Sequence, residues 1–104
     1  MRNELEKEIE KKLRRMIESR GGKCLKWVCP GWSGVPDRLA ILPGGRVYFI
    51  ETKRPKGGRY SRMQDWWRDT LIGLGCNYYR IKDAEGIAAF EALPLCFCRE
   101  EPKP

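Results

Sequence analysis

Two short apolar runs on either side of a Pro-Gly-Gly segment at 43–45 constrain the fold of this chain more than any other feature. Residues 38–42 and 46–53 are both strand-like, and a proline followed by two glycines is typical of a turn. The sequence therefore predicts a β-hairpin. With a three-residue loop, Leu42 faces Arg46, whereas a two-residue loop would shift the register by one residue and reverse the side-chain faces.

Helical and strand-like segments surround this hairpin. In chain order the predicted elements are a helix over 3–20, a strand over 23–28, the hairpin strands, a helix opened by a Ser61–Gln64 capping box, a strand over 76–82 and a helix over 83–92. Because a whole helix separates the last strand from the hairpin, we expect a parallel crossover. The predicted class is α/β, with a mixed central sheet of about four strands flanked by helices in the order α-β-β-β-α-β-α.

The chain length and the helix patterns favour a single domain. A chain of 104 residues has room for one modest core, so we expect residues 1–104 to form one domain. Two helices carry apolar stripes that we expect to face this core. The stripes are Leu5, Ile9, Leu13, Met16 and Ile17 in the first helix, and Met63, Trp66, Trp67, Leu71 and Leu74 in the second.

The charge balance points to a polyanionic partner. Lys and Arg number 21 against 14 acidic residues, giving a formal net charge of +7 and a pI near 9.4. The charge is concentrated between residues 46 and 68, where seven cations accompany two anions. This distribution is typical of a protein that binds nucleic acid.

Several classes of site are disfavoured by composition. The absence of histidine removes the usual general base and most transition-metal sites. Five cysteines without a Cys-x-x-Cys pair indicate free thiols rather than disulfides or a zinc ribbon. No apolar run approaches the ~18 residues that span a bilayer, so we expect a cytoplasmic protein.

The hairpin brings acidic residues together. If Leu42 faces Arg46, then Asp37 faces Glu51, and cross-strand β-carbons lie about 4.5 to 5.5 Å apart. Lys53 shares a face with Glu51 because side chains two residues apart point the same way. Two facing carboxylates repel each other and favour a hard cation between them, either Mg²⁺ or Mn²⁺. Such an ion and the Lys53 ammonium suit phosphodiester hydrolysis.

These residues resemble the signature of a known nuclease superfamily. Val35-Pro36-Asp37 followed by Glu51-Thr52-Lys53 across a hairpin is similar to the PD-(D/E)XK motif. The longer pattern GGKCLKW, GVPDRLAILPGGRVYFIETKRP and a Gln in the next helix resembles the VRR-Nuc branch, in particular its stand-alone members from bacteria and phages. The similarity extends from Glu4 to about Gly86.

The resemblance implies a fold, an activity and a site. Members of the family are metal-dependent DNA nucleases with a restriction-endonuclease-like core, and stand-alone members act as homodimers on four-way junctions. The metal ligands implied are Asp37, Glu51, Thr52 and a glutamate of the first helix. We expect Glu6 to be this glutamate, because at 100° per residue it lies about 50° from the apolar stripe, against about 90° for Glu10 and about 110° for Glu8.

The remaining site residues follow from their positions. Lys53 is the predicted catalytic ammonium, and Gln64 either serves only the capping box or also contacts substrate or a water near the metal. Cations that border the proposed site are expected to contact DNA phosphates. They are Arg38, Arg54, Lys56, Arg59 and Arg62.

The leading functional hypothesis is a Mg²⁺- or Mn²⁺-dependent endonuclease that resolves branched DNA as a homodimer and needs no small-molecule cofactor. One alternative is a DNA-binding module that keeps the fold without catalysis, although facing carboxylates do not help a pure binder. Another is a ribonuclease, since a protein that contacts the backbone leaves little record of the preferred sugar.

Overall fold

A computed structural model describes residues 6–53 and 59–93 of the chain. Within these ranges the chain forms three helices and four strands in the predicted order. They are α1 Glu6–Ser19, β1 Lys23–Lys26, β2 Arg38–Leu42, β3 Arg46–Thr52, α2 Arg62–Gly73, β4 Asn77–Ile81 and α3 Ala84–Glu91. The start of the predicted first helix, at residues 3–5, lies outside the described residues.

The four strands form one mixed sheet in the order β1-β2-β3-β4. The strands β1, β2 and β3 are antiparallel, and β4 pairs with β3 in parallel, which confirms the predicted crossover. Leu42 pairs with Arg46, as the three-residue turn requires. Gly44 and Gly45 adopt φ angles of 90° and 76°, which residues with a β-carbon rarely adopt. The hairpin register on which the candidate site depends is therefore confirmed.

The core lies between one face of the sheet and the helices α1 and α3. The predicted stripe of α1 is buried at Ile9, Leu13, Met16 and Ile17. It packs with buried side chains of the sheet and of α3, namely Cys24, Ala40, Leu42, Tyr48, Ile50, Ile81, Ile87 and Phe90. Because α1 is anchored along its length, its first turns are held against the sheet close to the end of β3.

The prediction that α2 presents an apolar inner face to the core is wrong. Of the stripe residues only Leu71 is buried, whereas Met63, Trp66 and Leu74 are 37%, 48% and 74% exposed. Trp67 is half-buried and donates its indole N–H to the Ser33 carbonyl at 3.1 Å. Helical periodicity identifies an apolar side of a helix but not what covers it, and α2 packs against β4 at the sheet edge.

The second face of the sheet is partly uncovered. Leu25, Ile41 and Val47, on β1, β2 and β3, are between 37% and 47% exposed. The pairs Leu25–Leu39 and Ile41–Val47 connect these apolar side chains across the strands. These side chains therefore form a partly exposed apolar surface on this face of the sheet.

Two further findings concern membrane spans and cysteines in the described ranges. No helix there is both long and apolar enough to cross a membrane. Cys24, Cys29 and Cys76 are free thiols, and Cys96 and Cys98 lie outside the described residues.

Candidate active site

The candidate site forms at the end of the hairpin opposite the turn. Arg38 pairs with Ile50, so Asp37 occupies the next position, across from Glu51, as predicted. The Asp37 carbonyl accepts a hydrogen bond from Trp27 N–H at 2.9 Å, which fixes the Asp37 backbone beside β1. The hairpin and the start of α1 thus enclose the Asp37 carboxylate from two sides.

Thr52 connects Asp37 to α1. Its backbone N–H donates to Asp37 Oδ1 at 3.2 Å, and its hydroxyl donates to Asp37 Oδ2 at 2.6 Å. The same hydroxyl oxygen lies 3.1 Å from Glu10 Oε2 and 3.4 Å from Glu6 Oε2. A hydroxyl has one proton, so it cannot satisfy three carboxylates at once. The fully buried Thr52 side chain is therefore surrounded by more carboxylate acceptors than its one hydroxyl proton can serve.

The carboxylates of Glu6, Glu10 and Asp37 form a cluster in which one oxygen of each lies within 4.8 Å of the others. We call this group the carboxylate cluster. Glu6, which was predicted from the sequence, belongs to the cluster. Glu10 belongs to it as well, although Glu6 alone was expected. The angle from the apolar stripe placed Glu10 second because it describes the helix alone, and not how the helix lies against the end of β3.

The electrostatics of the cluster are those of acids held too close together. The pKa of Asp37 is raised to about 6, chiefly because burial disfavours its charged form; the hydrogen bonds from Thr52 oppose this rise, and the charges of Glu10 and Glu6 add to it. Burial also acts to raise the pKa of Glu10, but the hydrogen bond and charge of Arg38 hold it below its usual range. Arg38 Nη2 lies 2.7 Å from Glu10 Oε1.

Glu51 lies beside the carboxylate cluster and outside it. Adjacent strand residues point to opposite faces, so Glu51 points away from the side chain of Thr52 and toward α2. Its Oε2 accepts a hydrogen bond from Gln64 Nε2 at 2.8 Å. Its Oε1 is buried without a hydrogen-bond partner among the residues described. Burial, and then the charge of Asp37, raise the pKa of Glu51 to about 8.

Gln64 combines the two roles that the sequence left open. It completes the capping box, since its Oε1 accepts from Ser61 N–H at 2.7 Å and its own N–H donates to Ser61 Oγ at 3.1 Å. Its Nε2 meanwhile reaches Glu51. The loop between β1 and β2 packs closely against this end of the helix, because a β-carbon on Gly34 would lie 2.6 Å from Met63 Cβ. The cap of α2 therefore positions a side chain against Glu51.

Lys53 and Arg80 supply positive charge on the Glu51 side, and both charges oppose the rise in the pKa of Glu51. Lys53 Nζ lies 5.7 Å from the centroid of the Tyr60 ring. Arg80 stacks on the same ring at 3.8 Å and donates to Asp65 Oδ1 at 2.7 Å. The position of Arg80 beside Glu51 was not predicted from the sequence. The predicted crossover placed β4 beside β3, but only the observed register pairs Arg80 with Glu51.

The predicted DNA-binding cations occupy three kinds of position. Arg38 is engaged by Glu10 in an ion pair. Arg59 and Arg62 are exposed near the start of α2. Arg54 and Lys56 lie outside the described residues.

The arrangement fits a hard divalent cation. Mg²⁺ and Mn²⁺ prefer carboxylate oxygens, and the cluster offers three carboxylates with too few donors. The orphaned Glu51 Oε1 is a fourth oxygen nearby that lacks a partner within the described ranges. The residues that would hold the ion are therefore Asp37, Glu6 and Glu10, with Glu51 adjoining. Thr52 orients Asp37 through its side chain.

A comparison with solved structures supports this architecture, and a sequence comparison matches a phage protein. No protein-family model matches the chain. A protein of Acyrthosiphon pisum secondary endosymbiont phage 1 named "Putative nuclease p44" is 48% identical over 50 residues, which is 48% of this chain and 54% of that protein. The match thus spans about half the length of that relative. A solved structure described as "VRR_NUC domain" superposes with a TM-score of 0.79 at 26% identity, over 85% of this chain and 96% of that chain.

The mixed four-stranded sheet between helices, with acidic residues at the open end of its hairpin, defines a restriction-endonuclease-like domain. Within that class the chain has the VRR-Nuc fold, which confirms the resemblance of its sequence to the VRR-Nuc branch of the PD-(D/E)XK superfamily.

Proposed function

We propose that this chain is a Mg²⁺- or Mn²⁺-dependent endonuclease that hydrolyses phosphodiester bonds in DNA, with branched DNA as substrate and a homodimer as the active form. The observation that carries the proposal is the carboxylate cluster of Glu6, Glu10 and Asp37, held on a VRR-Nuc fold with Glu51 and Lys53 beside it. The name of the phage relative is a further support for nuclease activity.

The chain's own residues divide the work of hydrolysis. Asp37, Glu6 and Glu10 would hold the cation, and Thr52 keeps the Asp37 carboxylate oriented toward the two glutamates. When bound, a divalent ion lowers the pKa of water and neutralises charge that develops on phosphorus. Lys53 stands on the same face as Glu51 and contacts a phosphate oxygen or orients the attacking water. Gln64 holds the Glu51 carboxylate against the start of α2.

The homodimer part of the proposal has its own support. Two active sites are needed to cut two strands symmetrically, and most small homo-oligomers are twofold dimers. The partly exposed apolar residues Leu25, Ile41 and Val47 offer a surface that a second copy would cover. Sedimentation of the purified protein, alone and with a four-way junction, measures this directly.

A panel of labelled substrates tests the function. A four-way junction, a linear duplex of the same arm sequence and a single-stranded RNA are incubated with the protein in Mg²⁺, in Mn²⁺ and in EDTA. We expect cutting of the junction with either metal, slower cutting of the linear duplex, and none in EDTA. Tight binding without cutting in any metal would favour a DNA-binding module, and preferential cutting of the RNA would favour a ribonuclease.

A further inference from the structure

A pocket on the outer side of α1 is lined mainly by cations. Its volume is about 230 Å³, and its walls are Lys7, Glu10, Lys11, Arg14 and Arg38. Residues 7, 11 and 14 lie on one side of a helix because they are spaced by one turn. A liquid water occupies about 30 Å³, so the pocket is large enough for a tetrahedral oxyanion together with several waters.

The charge of this pocket is only partly compensated. Glu10 is its one acidic wall residue, and it is already paired with Arg38 at 2.7 Å. Arg14 approaches Glu18 only to 3.9 Å, and both side chains are about half exposed, so this pair is weak. Lys7 and Lys11 have no ion-pair partner in the described part of the chain. Within residues 6–53 and 59–93, three cations therefore face the pocket without strong acidic partners.

The pocket adjoins the carboxylate cluster. Glu10 belongs to both, with one oxygen on Arg38 and the other 3.1 Å from the Thr52 hydroxyl. When one phosphate of a DNA strand lies at the cluster, the neighbouring phosphates of that strand are only one or two nucleotides away from it. A basic pocket next to an acidic cluster can thus bind two phosphates of one strand. The scissile phosphate would be bound through the metal ion at the cluster, and a neighbouring phosphate would be bound by the Lys and Arg side chains of the pocket.

We propose that this pocket binds a non-scissile backbone phosphate of the substrate strand and so fixes where the scissile phosphate lies. The inference rests on the proposed function, because it concerns the same substrate. The Lys7 and Lys11 ammonium groups act as point charges, and the Arg14 guanidinium supplies directional donors. Contacts of this kind position a nucleic acid without selecting its sequence.

Neutralising the pocket tests the proposal. Lys7→Gln/Lys11→Gln is compared with Lys23→Gln/Lys82→Gln, which removes the same charge at exposed positions away from the pocket. Duplex binding is measured in EDTA, so that cleavage plays no part. We expect the pocket variant to bind about tenfold more weakly and its salt dependence to fall by about one phosphate contact, whereas the control changes less than about twofold. Equal weakening in both variants would overturn the proposal.

A second measurement is independent of DNA and of cutting. Inorganic phosphate is titrated into the metal-free protein while backbone amide resonances are followed. Saturable shifts centred on residues 7–14, absent in the pocket variant, support the site, and shifts spread over many surface cations overturn it. Duplexes with and without a 5′-phosphate then separate a terminal phosphate from an internal one. Equal binding of both supports the internal diester proposed here, and a clear preference for the 5′-phosphate overturns it.

Discussion

Asp37→Asn is expected to lower the rate of junction cleavage by about a thousandfold at saturating Mg²⁺, because it removes the charge around which the carboxylate cluster is built. The asparagine oxygen can accept one of the two hydrogen bonds that Thr52 donates, and its NH2 group can donate to the Thr52 hydroxyl oxygen in place of the other, so the fold should persist. Single-turnover kinetics measures the effect on the chemical step.

The matched control is Asp69→Asn, which makes the same change on the exposed side of α2. It should cleave within about twofold of the unaltered protein, since surface substitutions of this kind have small effects. If Asp37→Asn retained a third or more of the original rate, the assignment of Asp37 to catalysis would be wrong.

Glu51→Gln is expected to stabilise the metal-free protein at pH 8 by about 2–4 kcal/mol. The folded-state pKa of Glu51 is about 8, against an ordinary value of 4.5, so between pH 4.5 and pH 8 the folded protein holds a proton that the unfolded chain has lost. The stability associated with this proton is fully present below pH 4.5 and is lost as pH rises through 8. One pKa unit corresponds to about 1.4 kcal/mol, and glutamine removes this loss.

Chemical denaturation in EDTA at pH 5 and pH 8 measures the effect. The unaltered protein should lose stability between the two pH values, and Glu51→Gln should lose less. Glu18→Gln, on the exposed side of α1, is the control and should change stability by no more than about 0.5 kcal/mol at either pH. A stability that rises with pH in the unaltered protein would contradict the raised pKa of Glu51.

Local rules predicted the elements that build the site. The three-residue turn set the hairpin register, and the period of the apolar residues identified the buried face of α1. The capping box of α2 formed through Ser61 and Gln64, and Asp83 caps α3 by accepting from Gly86 N–H. Each of these features depends on residues close in sequence, whose geometry is nearly independent of the remaining fold.

Features that depend on how elements meet were not predictable in the same way. Glu10 joins the cluster because α1 crosses the end of β3, and Arg80 stands beside Glu51 because of the parallel register. The apolar side of α2 was assigned to the core, yet Trp66 and Leu74 are exposed because nothing in the described part of the chain covers them. The apolar period describes a single helix or strand, whereas these contacts depend on how two elements pack together.

The acids that group most closely at the site are not the facing pair predicted from the hairpin. The facing pair Asp37 and Glu51 was predicted from register, and the register is as expected. Strand alternation nevertheless turns Glu51 to Gln64, while Asp37 bonds to Thr52 and meets the acids of α1. The tightest carboxylate group therefore forms between the hairpin and α1, with Glu51 at its side.

Calorimetric titration of the metal-free protein with Mg²⁺ and with Mn²⁺, beside Asp37→Asn, tests most directly whether these acids hold a divalent cation. The account predicts saturable binding to the unaltered protein, weakened at least about tenfold in Asp37→Asn, with protons released near neutral pH because the pKa values of Asp37 and Glu51 are raised. The account would be contradicted if neither Mg²⁺ nor Mn²⁺ bound, or if the unaltered protein and Asp37→Asn bound the metal equally.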